Sequence, residues 1–545
     1  MGFTTIDYVV FILYAVAIVS MGLWVSRDKK GHQKTAEDYF LAGKSLPWWA
    51  IGTSLIAANI SAEQIIGMSG SGFAVGLAIA SYEWMAAVTL IIVGKYLLPI
   101  FIEKKLYTIP EFVEQRFNTT LKTILAIFWI ALFVFVNLTT VMFLGAKAID
   151  TIMGTGDGSI LFYALIGLAL IAAAYSLYGG LSAVAWTDVV QVGLLVLGGL
   201  VTTIAALYHV TPEGGIFNGL THLYEVAGDK FHMILDRSNP EFSNLPGIAV
   251  LIGGMWVANL YYWGFNQYII QRTLAAKSLE ESQKGIIFAG FLKLIIPLIV
   301  VIPGIIVYVL YVQPEGTAQI TGIVDVFKNP DGSIEYDNAY PWLMKVFLSP
   351  GFLGLVAAAL TAAIVSSLAS MLNSVATIFT MDIYRPYINP DATDKQTVNM
   401  GRITAAVALV VAVLLAPQLQ SVPQVFQYIQ EYTGLVSPGI LAVFLMGLFW
   451  KKTTTKGAIY GVMSSIVIAL LLKLGPMGLP FLDQMYYTLI LTIVIIVGVS
   501  LTTNPQDEDP KAIHTTAEMF KTSSSFNIGA YTILILVAFL YTVFW

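Results

Sequence analysis

Long apolar segments recur along almost the whole chain, and they constrain its fold more than any other feature. Of its 545 residues, 57% are hydrophobic and 11% are charged, and the mean hydropathy is +0.78. A soluble protein of this length has no core large enough to bury so much apolar surface. Segments of about 20 apolar residues are long enough to cross a bilayer as helices. The sequence therefore predicts an all-α polytopic membrane protein.

Fourteen such segments are predicted, beginning near residues 7, 47, 78, 122, 160, 183, 247, 286, 345, 402, 425, 457, 484 and 525. Most of the 28 Lys and Arg residues fall in connections that share one side of the membrane, including Arg27, Lys29, Lys30 and Lys34 in the first connection. Cytoplasmic connections are enriched in Lys and Arg. This distribution predicts a multi-pass protein of the plasma (inner) membrane with both termini outside.

The second predicted span contains polar residues that a membrane helix normally excludes. Between Ala57 and Gly70 it carries Asn59, Glu63 and Gln64 together with glycines. Ionisable groups at bilayer depth usually face a cavity. Unwound backbone at that depth persists only where protein or a cavity satisfies its polar groups. The stretch predicts a broken helix at a binding site.

The seventh predicted span has the same character, since Gly253, Gly254, Asn259 and Asn266 all lie in its apolar run. It follows the second span by five spans. Because five is odd, two consecutive five-helix units must have opposite membrane orientation, as in the inverted repeats of secondary transporters. The single integral-membrane domain, residues 1–545, then divides into an extra helix (7–26), a first repeat (47–208), a second repeat (247–449) and three C-terminal helices (457–545).

Polar side chains inside six predicted spans form a candidate substrate site. They are Gln64, Glu83, Asn137, Asn259, Lys293 and Gln430, and Glu63 lies beside Gln64 on the second span. Amides with an acid and a base offer donors and acceptors to several hydroxyl groups at once, and nearby aromatic residues can cover the C–H faces of a sugar. The alternative is interhelical hydrogen bonding, which is common in membrane bundles. Lys293 and Glu83 favour a functional role because charges in mid-span are rare.

The ninth predicted span carries a cluster of small polar residues. Ser366 and Ser370 share one helical face, and Ser367 and Ser374 share another. Close packing by small residues explains the cluster equally well. The functional interpretation is a small cage of oxygen atoms, completed by carbonyls of the broken second span. Such a cage suits Na⁺ better than Ca²⁺ or Mg²⁺, because it contains no carboxylate.

Other residue types argue against several classes of protein. The absence of cysteine removes disulfides, thiolate catalysis and Cys-ligated metals. The five histidines lie in or beside connections without ligand spacing. An intramembrane hydrolase is not supported, because the spans contain no histidine at depth and no G-x-S-x-G elbow. A nucleic-acid partner is not indicated, because the chain has no basic arm. We therefore expect a protein that is not an enzyme and has no cofactor.

Four stretches, 57–83, 179–183, 259–272 and 426–439, resemble the sodium:solute symporter family, and the resemblance runs along essentially the whole chain. It is closest to the sodium/galactose and sodium/glucose branch. The resemblance implies a LeuT-type fold with one helix before the core, a sugar as substrate and Na⁺ as the coupling ion.

The resemblance also implies roles for individual residues. The sodium ligands would be the carbonyls of Ala57, Ile60 and Ala363 and the hydroxyls of Ser366 and Ser367. Hexose contacts would come from Gln64, Glu83, Asn259, Lys293 and Gln430. The gates would be Tyr262 on the inner side, held by Asn59, and Met68, Tyr82 and Phe426 on the outer side. One position departs, because this chain has Ala86 where sugar-binding members carry a serine, and the identity of the hexose stays open.

Asp188, near the inner end of the sixth span, is open to two interpretations. The resemblance implies a position on the sodium exit path, whereas a plain helix interface is the alternative. The function expected from all these residues is Na⁺-coupled symport of a hexose of the galactose or glucose type by alternating access. The alternatives are a passive channel and a Na⁺ symporter for inositol, sialic acid or proline. An anionic solute would favour an arginine deep in a span, and none is predicted. The sequence does not indicate the oligomeric state.

Overall fold

The computed structural model describes residues 3–25, 41–105, 108–154, 158–211, 213–313, 326–328, 332–422, 424–503 and 508–545. Side chains of residues 23, 25 and 175–183 are not described, and these include the side chains of the 179–183 stretch. Arg27, Lys29, Lys30 and Lys34 lie outside the described residues. Within the described ranges the chain is helical and contains only isolated β-bridges, as the sequence predicts.

The first half of the chain contains eight helices. They are α1 (Thr5–Val25), α2 (Trp48–Asn59), α3 (Ser69–Ala74), α4 (Leu77–Glu103), α5 (Ile109–Arg116), α6 (Thr119–Met153), α7 (Leu161–His209) and α8 (Ile216–Ala227). A π-helical segment, Glu63–Met68, leads into α3. Short 3-10 turns occur at Ala42–Lys44, Gly228–Phe231 and Pro240–Ser243.

Twelve further helices follow. They are α9 (Ala249–Ile252), α10 (Gly254–Leu260), α11 (Gln267–Leu274), α12 (Leu279–Val312), α13 (Ala339–Phe347), α14 (Phe352–Ile388), α15 (Asp394–Ser421), α16 (Val425–Gly434), α17 (Ser437–Phe449), α18 (Thr455–Leu474), α19 (Phe481–Thr503) and α20 (Ser524–Val543). A π-helical segment, Tyr261–Phe265, lies between α10 and α11. Further 3-10 turns occur at Tyr336–Asn338 and Ala517–Phe520.

Ten helices of the described chain are long and apolar enough to cross a membrane, and the bent pair α16–α17, with a 47° angle, makes an eleventh if it forms one span. The protein is therefore a multi-pass membrane protein. The predicted second and seventh spans are not among these helices. Each consists of short helices, of which the longest, α2, has 12 residues.

Two predicted boundaries differ from the structure. The ninth span, expected from residue 345, begins at Phe352, because α13 ends at Phe347 and Gly351 adopts a φ of +83°. A positive φ interrupts a helix and favours glycine. The fifth and sixth spans were expected as separate helices, but the helical assignment is continuous over the 49 residues of α7. Two apolar stretches, Leu161–Ala174 and Val184–His209, lie within it.

Helices α12 and α14 each pack against several other helices. Helix α12 lies along α2, α3 and α4, while α14 lies against α1, α2 and α7. Contact between α12 and α3 depends on glycine, because a Cβ at Gly304 would lie 2.1 Å from the carbonyl oxygen of Ser69. Every residue of the segment between α2 and α3 is buried.

Candidate functional site

An internal cavity lies between the segment that joins α2 to α3 and the segment that joins α10 to α11. All six predicted substrate residues line it, namely Gln64, Glu83, Asn137, Asn259, Lys293 and Gln430. All five predicted gate residues also line it, namely Asn59, Met68, Tyr82, Tyr262 and Phe426. The structure thus brings together residues from widely separated parts of the sequence.

Helix α2 ends at Asn59, where the backbone leaves the helical conformation. Ile60 has φ −77° and ψ 80°, and the Ser61 amide donates to the Asn59 carbonyl at 2.9 Å. In an uninterrupted helix that amide would donate to Ala57, four residues earlier. The interruption therefore frees the Ala57 carbonyl from its helical partner.

A second interruption occurs at Asn266, which has φ −86° and ψ 121° and separates the π-helical segment from α11. The aromatic residues Tyr261, Tyr262 and Trp263 precede it and line the cavity, as Asn266 itself does. Both sides of the cavity are therefore built from non-α backbone, which exposes side chains and peptide groups that a regular helix would hide.

A buried ion pair lies in the cavity wall. The Lys293 ammonium is 2.5 Å from a Glu83 carboxylate oxygen, and it also donates to the Asn59 side-chain carbonyl. The same ammonium lies 4.9 Å from the centre of the Trp263 ring. Both charged side chains are at most 2% exposed. A hydrogen-bonded, charge-assisted pair of this kind presents strong donors and acceptors to a polar ligand.

Tyr262 bridges the two interrupted segments. Its hydroxyl accepts a hydrogen bond from the Asn59 amide at 3.2 Å and one from the Tyr268 hydroxyl at 2.7 Å. Asn59 in turn accepts from Lys293. Asn59 consequently links the Tyr262 ring, the Lys293–Glu83 ion pair and the end of α2.

Tyr82 and Phe426 lie together on the other side of the cavity. Their ring centres are 5.2 Å apart at an interplanar angle of 88°, the edge-to-face arrangement that aromatic pairs favour. A Cβ at Gly67 would lie 3.0 Å from the Phe426 Cβ, so the phenylalanine packs directly on that glycine. Met68, the next residue, is fully buried.

Several polar atoms that line the cavity have no hydrogen-bond partner among the described residues. They are Glu63 Oε1, Gln64 Oε1, Asn137 Oδ1 and Asn266 Oδ1. All four side chains are at most 5% exposed. Buried acceptors without partners are costly, so these atoms suit a ligand that donates several hydrogen bonds.

Two of the predicted sodium ligands, Ser367 and Ala57, contact each other. The Ser367 hydroxyl lies 3.3 Å from the Ala57 carbonyl and 3.4 Å from the Ala58 carbonyl. Ile60 is buried at the end of α2, and Ala363 is buried on α14 one turn before the serines. The Ser366 hydroxyl donates to the Asp188 carboxylate instead. A carboxylate therefore adjoins a region that was expected to contain only carbonyls and hydroxyls.

Asp188 belongs to a buried network that the sequence alone does not indicate. Its second carboxylate oxygen accepts from Ser54 at 2.5 Å and lies 3.6 Å from the Arg272 guanidinium. Arg272 also donates to Ser54 at 2.8 Å and to Ser370. It is 1% exposed. The Asp188 carboxylate across the interface compensates the buried charge of Arg272, which lies in the last turn of α11.

Several other lining residues were not in the predicted site. Trp263, Asn266 and Thr433 line the cavity. Asn266 carries a usable signal, since it is a polar residue inside an apolar run. Glu63, which the sequence offers beside Gln64, also lines the cavity. Ala86 is buried on α4 but is not among the lining residues.

Comparisons with known proteins find similarity along most of the chain. The sodium:solute symporter family matches residues 39–465. A sodium/glucose cotransporter of Vibrio parahaemolyticus is 63% identical over 544 residues, which cover 100% of this chain and 99% of that protein. Human sodium/myo-inositol cotransporter 2 is 32% identical over 527 residues, with 91% and 76% covered.

Among solved structures, a Na⁺-coupled sialic acid symporter in a substrate-bound outward-open state is similar in fold. The TM-score is 0.78 at 22% identity, and the match covers 92% of this chain and 99% of that chain. The helical architecture described above is therefore that of a known transporter fold.

The Asp188–Arg272 pair generates a prediction about stability. We expect Asp188→Leu to lower the free energy of unfolding by about 3 to 5 kcal/mol, because it leaves a buried guanidinium without its partner. The double variant with Arg272→Met should lose less, because neither charge remains. Thermal unfolding in detergent measures both.

Glu508→Gln, which disrupts the half-exposed pair with Lys451, is the control and should cost less than about 1 kcal/mol. Equal losses in the Asp188 variant and this control would contradict a role of burial in the inner pair.

Proposed function

Because the chain belongs to the sodium:solute symporter family, we propose that it couples the entry of Na⁺ to uptake of a hexose of the galactose or glucose type by alternating access. It is a transporter and not an enzyme, and Na⁺ is its coupling ion rather than a cofactor. The observation that carries the proposal is the single cavity into which the predicted substrate and gate residues converge. The 63% identity to a sodium/glucose cotransporter supports a sugar as substrate.

In this function the chain crosses the inner membrane fourteen times with both termini outside, which requires α7 to reverse between its apolar stretches Leu161–Ala174 and Val184–His209, since a continuous helix crosses once. The second and seventh spans are the broken first helices of two inverted repeats, 47–208 and 247–449. Helix 7–26 precedes them, and three helices in 457–545 follow. The interruptions after Asn59 and at Asn266 support this division, since both of these residues line the cavity. The positions of ten or eleven apolar helices agree with it.

A neutral polyol matches the chemistry of the cavity. Amide groups, unpaired acceptors and the Lys293–Glu83 pair supply both donors and acceptors, while Tyr82, Tyr262 and Phe426 supply aromatic faces. A carboxylated solute is less well supported, because Arg272 is paired with Asp188 and is not among the lining residues. The inositol cotransporter relative makes another polyol, myo-inositol, the second candidate.

The sodium ion is proposed to bind where the Ser367 hydroxyl meets the freed Ala57 carbonyl, with Ile60, Ala363 and Ser366 as further ligands. Oxygen atoms without a full negative charge suit a monovalent cation. In this scheme the Ser366 hydroxyl exchanges between Asp188 and the ion. Asp188 would then lie beside the ion's path toward the cytoplasm.

Uptake into proteoliposomes tests the function and this sodium site together. With an inward Na⁺ gradient, the wild-type protein should accumulate labelled galactose or glucose, whereas a passive channel only equilibrates it. Ser367→Ala should raise the half-maximal Na⁺ concentration about fivefold or more, as expected when a buried oxygen ligand is lost. Ser374→Ala on the same helix, which loses a hydrogen bond to Gln271, is the control. An unchanged Na⁺ dependence of the Ser367 variant would exclude this site.

Two glutamines on α16 provide a matched pair for the sugar site. Gln430 lines the cavity, whereas Gln427, three residues earlier, does not and has no partner for its side-chain atoms among the described residues. We expect Gln430→Ala to weaken sugar binding about fivefold to a hundredfold, the effect of one lost buried partner. Gln427→Ala should leave the affinity unchanged. Calorimetry measures both, and equal affinities would place the sugar elsewhere.

Tyr262 generates the last prediction for this site. Tyr262→Phe retains the ring over the cavity and should retain substantial transport, although it loses the hydrogen bonds from Asn59 and Tyr268. Tyr262→Ala removes both ring and closure and should abolish accumulation. Concentrative uptake at matched expression decides between a gate and a packing role. If the alanine variant still accumulates sugar, Tyr262 is not a required gate.

A further inference from the structure

Helix α16, which carries Phe426, begins without a cap of its own. Its N-cap residue is Gln424, whose side chain makes no capping hydrogen bond. The first amide groups of a helix have no partner within the helix and need another acceptor. Phe426 is the second residue of α16, so whatever satisfies this end also determines where the phenylalanine lies.

A carboxyl group from a distant part of the chain supplies the acceptor. Asp337 Oδ2 accepts from the Val425 amide at 3.1 Å. Asp337 lies in the 3-10 turn before α13, 88 residues away in sequence, and it is fully buried. An acceptor at a helix N-terminus is favoured by both the free amides and the helix dipole.

Polar contacts bind the turn that carries Asp337 to α6. Glu335 lies 2.7 Å from the Lys147 ammonium, and the Asn338 side chain accepts from Thr151 at 3.2 Å. Lys345 on α13 donates to the carbonyl of Thr151 at 3.1 Å. The residues on either side of Asp337 are thereby bound to α6, while the Asp337 side chain bonds to α16.

The same turn rests on α3. A Cβ at Gly70 would lie 2.8 Å from Asp337 Oδ1 and 2.9 Å from the Tyr336 carbonyl oxygen. The rings of Phe73 and Tyr336 are 5.1 Å apart. Asp337 therefore lies at the meeting point of α3, α16 and the turn.

From this geometry we infer that Asp337 is a positioning residue that holds the outer lid, Tyr82 and Phe426, closed over the cavity. The inference rests on the proposed alternating-access function, in which α16 must move away from α3 to admit sugar from outside. The Asp337–Val425 hydrogen bond must break in that step. Its strength therefore sets how often the lid opens.

The protonation state of Asp337 determines which variants are informative. Burial raises the pKa of Asp337 to about 8, with Glu335 adding to the rise and Lys147 opposing it. The raised pKa favours the protonated carboxyl, which still accepts from the Val425 amide through its carbonyl oxygen. Asparagine offers an equivalent oxygen, whereas alanine offers none.

Two substitutions remove the hydrogen bond from opposite ends. Asp337→Ala deletes the acceptor. Val425→Pro deletes the donor, and it does so at the first helical position, where proline is favoured because that amide has no helical partner. Asp337→Asn is the conservative variant. Glu335→Gln, which breaks the neighbouring pair with Lys147 and leaves the Val425 contact, is the matched control.

A single cysteine can report lid opening, because the chain has no cysteine. Thr433 lines the cavity on α16, seven residues beyond Phe426, and Thr433→Cys serves as the parent. The measurement is the rate at which a membrane-impermeant maleimide, added outside intact cells, labels this cysteine in the presence of Na⁺. Folding of each variant is checked by gel filtration and sugar binding.

Asp337→Ala and Val425→Pro should each speed labelling about twofold to tenfold, the range that corresponds to one net hydrogen bond. The double variant should label no faster than the faster single variant, because both remove the same contact. Asp337→Asn and Glu335→Gln should label at nearly the parent rate.

Parent-rate labelling of folded Asp337→Ala or Val425→Pro would overturn the inference, as would additive effects in the double variant or fast labelling of Glu335→Gln. If Asp337→Ala fails to fold, Val425→Pro decides the outcome. The proposed function has a separate readout. Galactose or glucose with Na⁺ should protect the parent cysteine, and a lack of protection would count against the sugar site without affecting the comparison of rates.

Discussion

The structure depends on the interruption of a buried helix at Ile60 and Ser61. Inside a bilayer, peptide groups released from a helix have no water to bind, so the protein must supply partners or leave a place for a solute. Ser367 meets the freed Ala57 carbonyl, and the buried π-helical segment that follows presents Gln64 to the cavity. One break thus creates a candidate ion site on one side of the segment and a candidate sugar site on the other.

Asn59 connects those two sites. It ends α2, accepts from Lys293 and donates to Tyr262. Any movement of α2 that follows occupation of the ion site therefore acts on the ion pair and on the ring through the same side chain. Coupling between two ligands requires a shared element of this kind, whose position both ligands bias.

Much of this arrangement was predictable from the sequence, for a physical reason. Polar side chains in apolar runs are costly unless they face a cavity, so Gln64, Asn259 and Lys293 identified the cavity before its geometry was known. Contacts across helices were not predictable in the same way. Spacing along one helix does not reveal which side chain lies opposite, so the Ser366 contact with Asp188 and the burial of Arg272 required the structure. Hydropathy locates the two apolar stretches of α7 but does not reveal whether the backbone between them stays helical.

The two buried ion pairs have a consequence for how the membrane voltage acts on the protein. Lys293 with Glu83 and Arg272 with Asp188 are each neutral as a unit. An isolated charge that crosses the membrane changes its electrostatic energy by about 2.3 kcal/mol per 100 mV. A neutral pair that moves together changes its energy hardly at all, and the same holds for an uncharged hexose. These pairs therefore add nothing to the charge that crosses the membrane. The transport current should be carried by the bound Na⁺, and the return of these paired groups without ligand should be electrically silent.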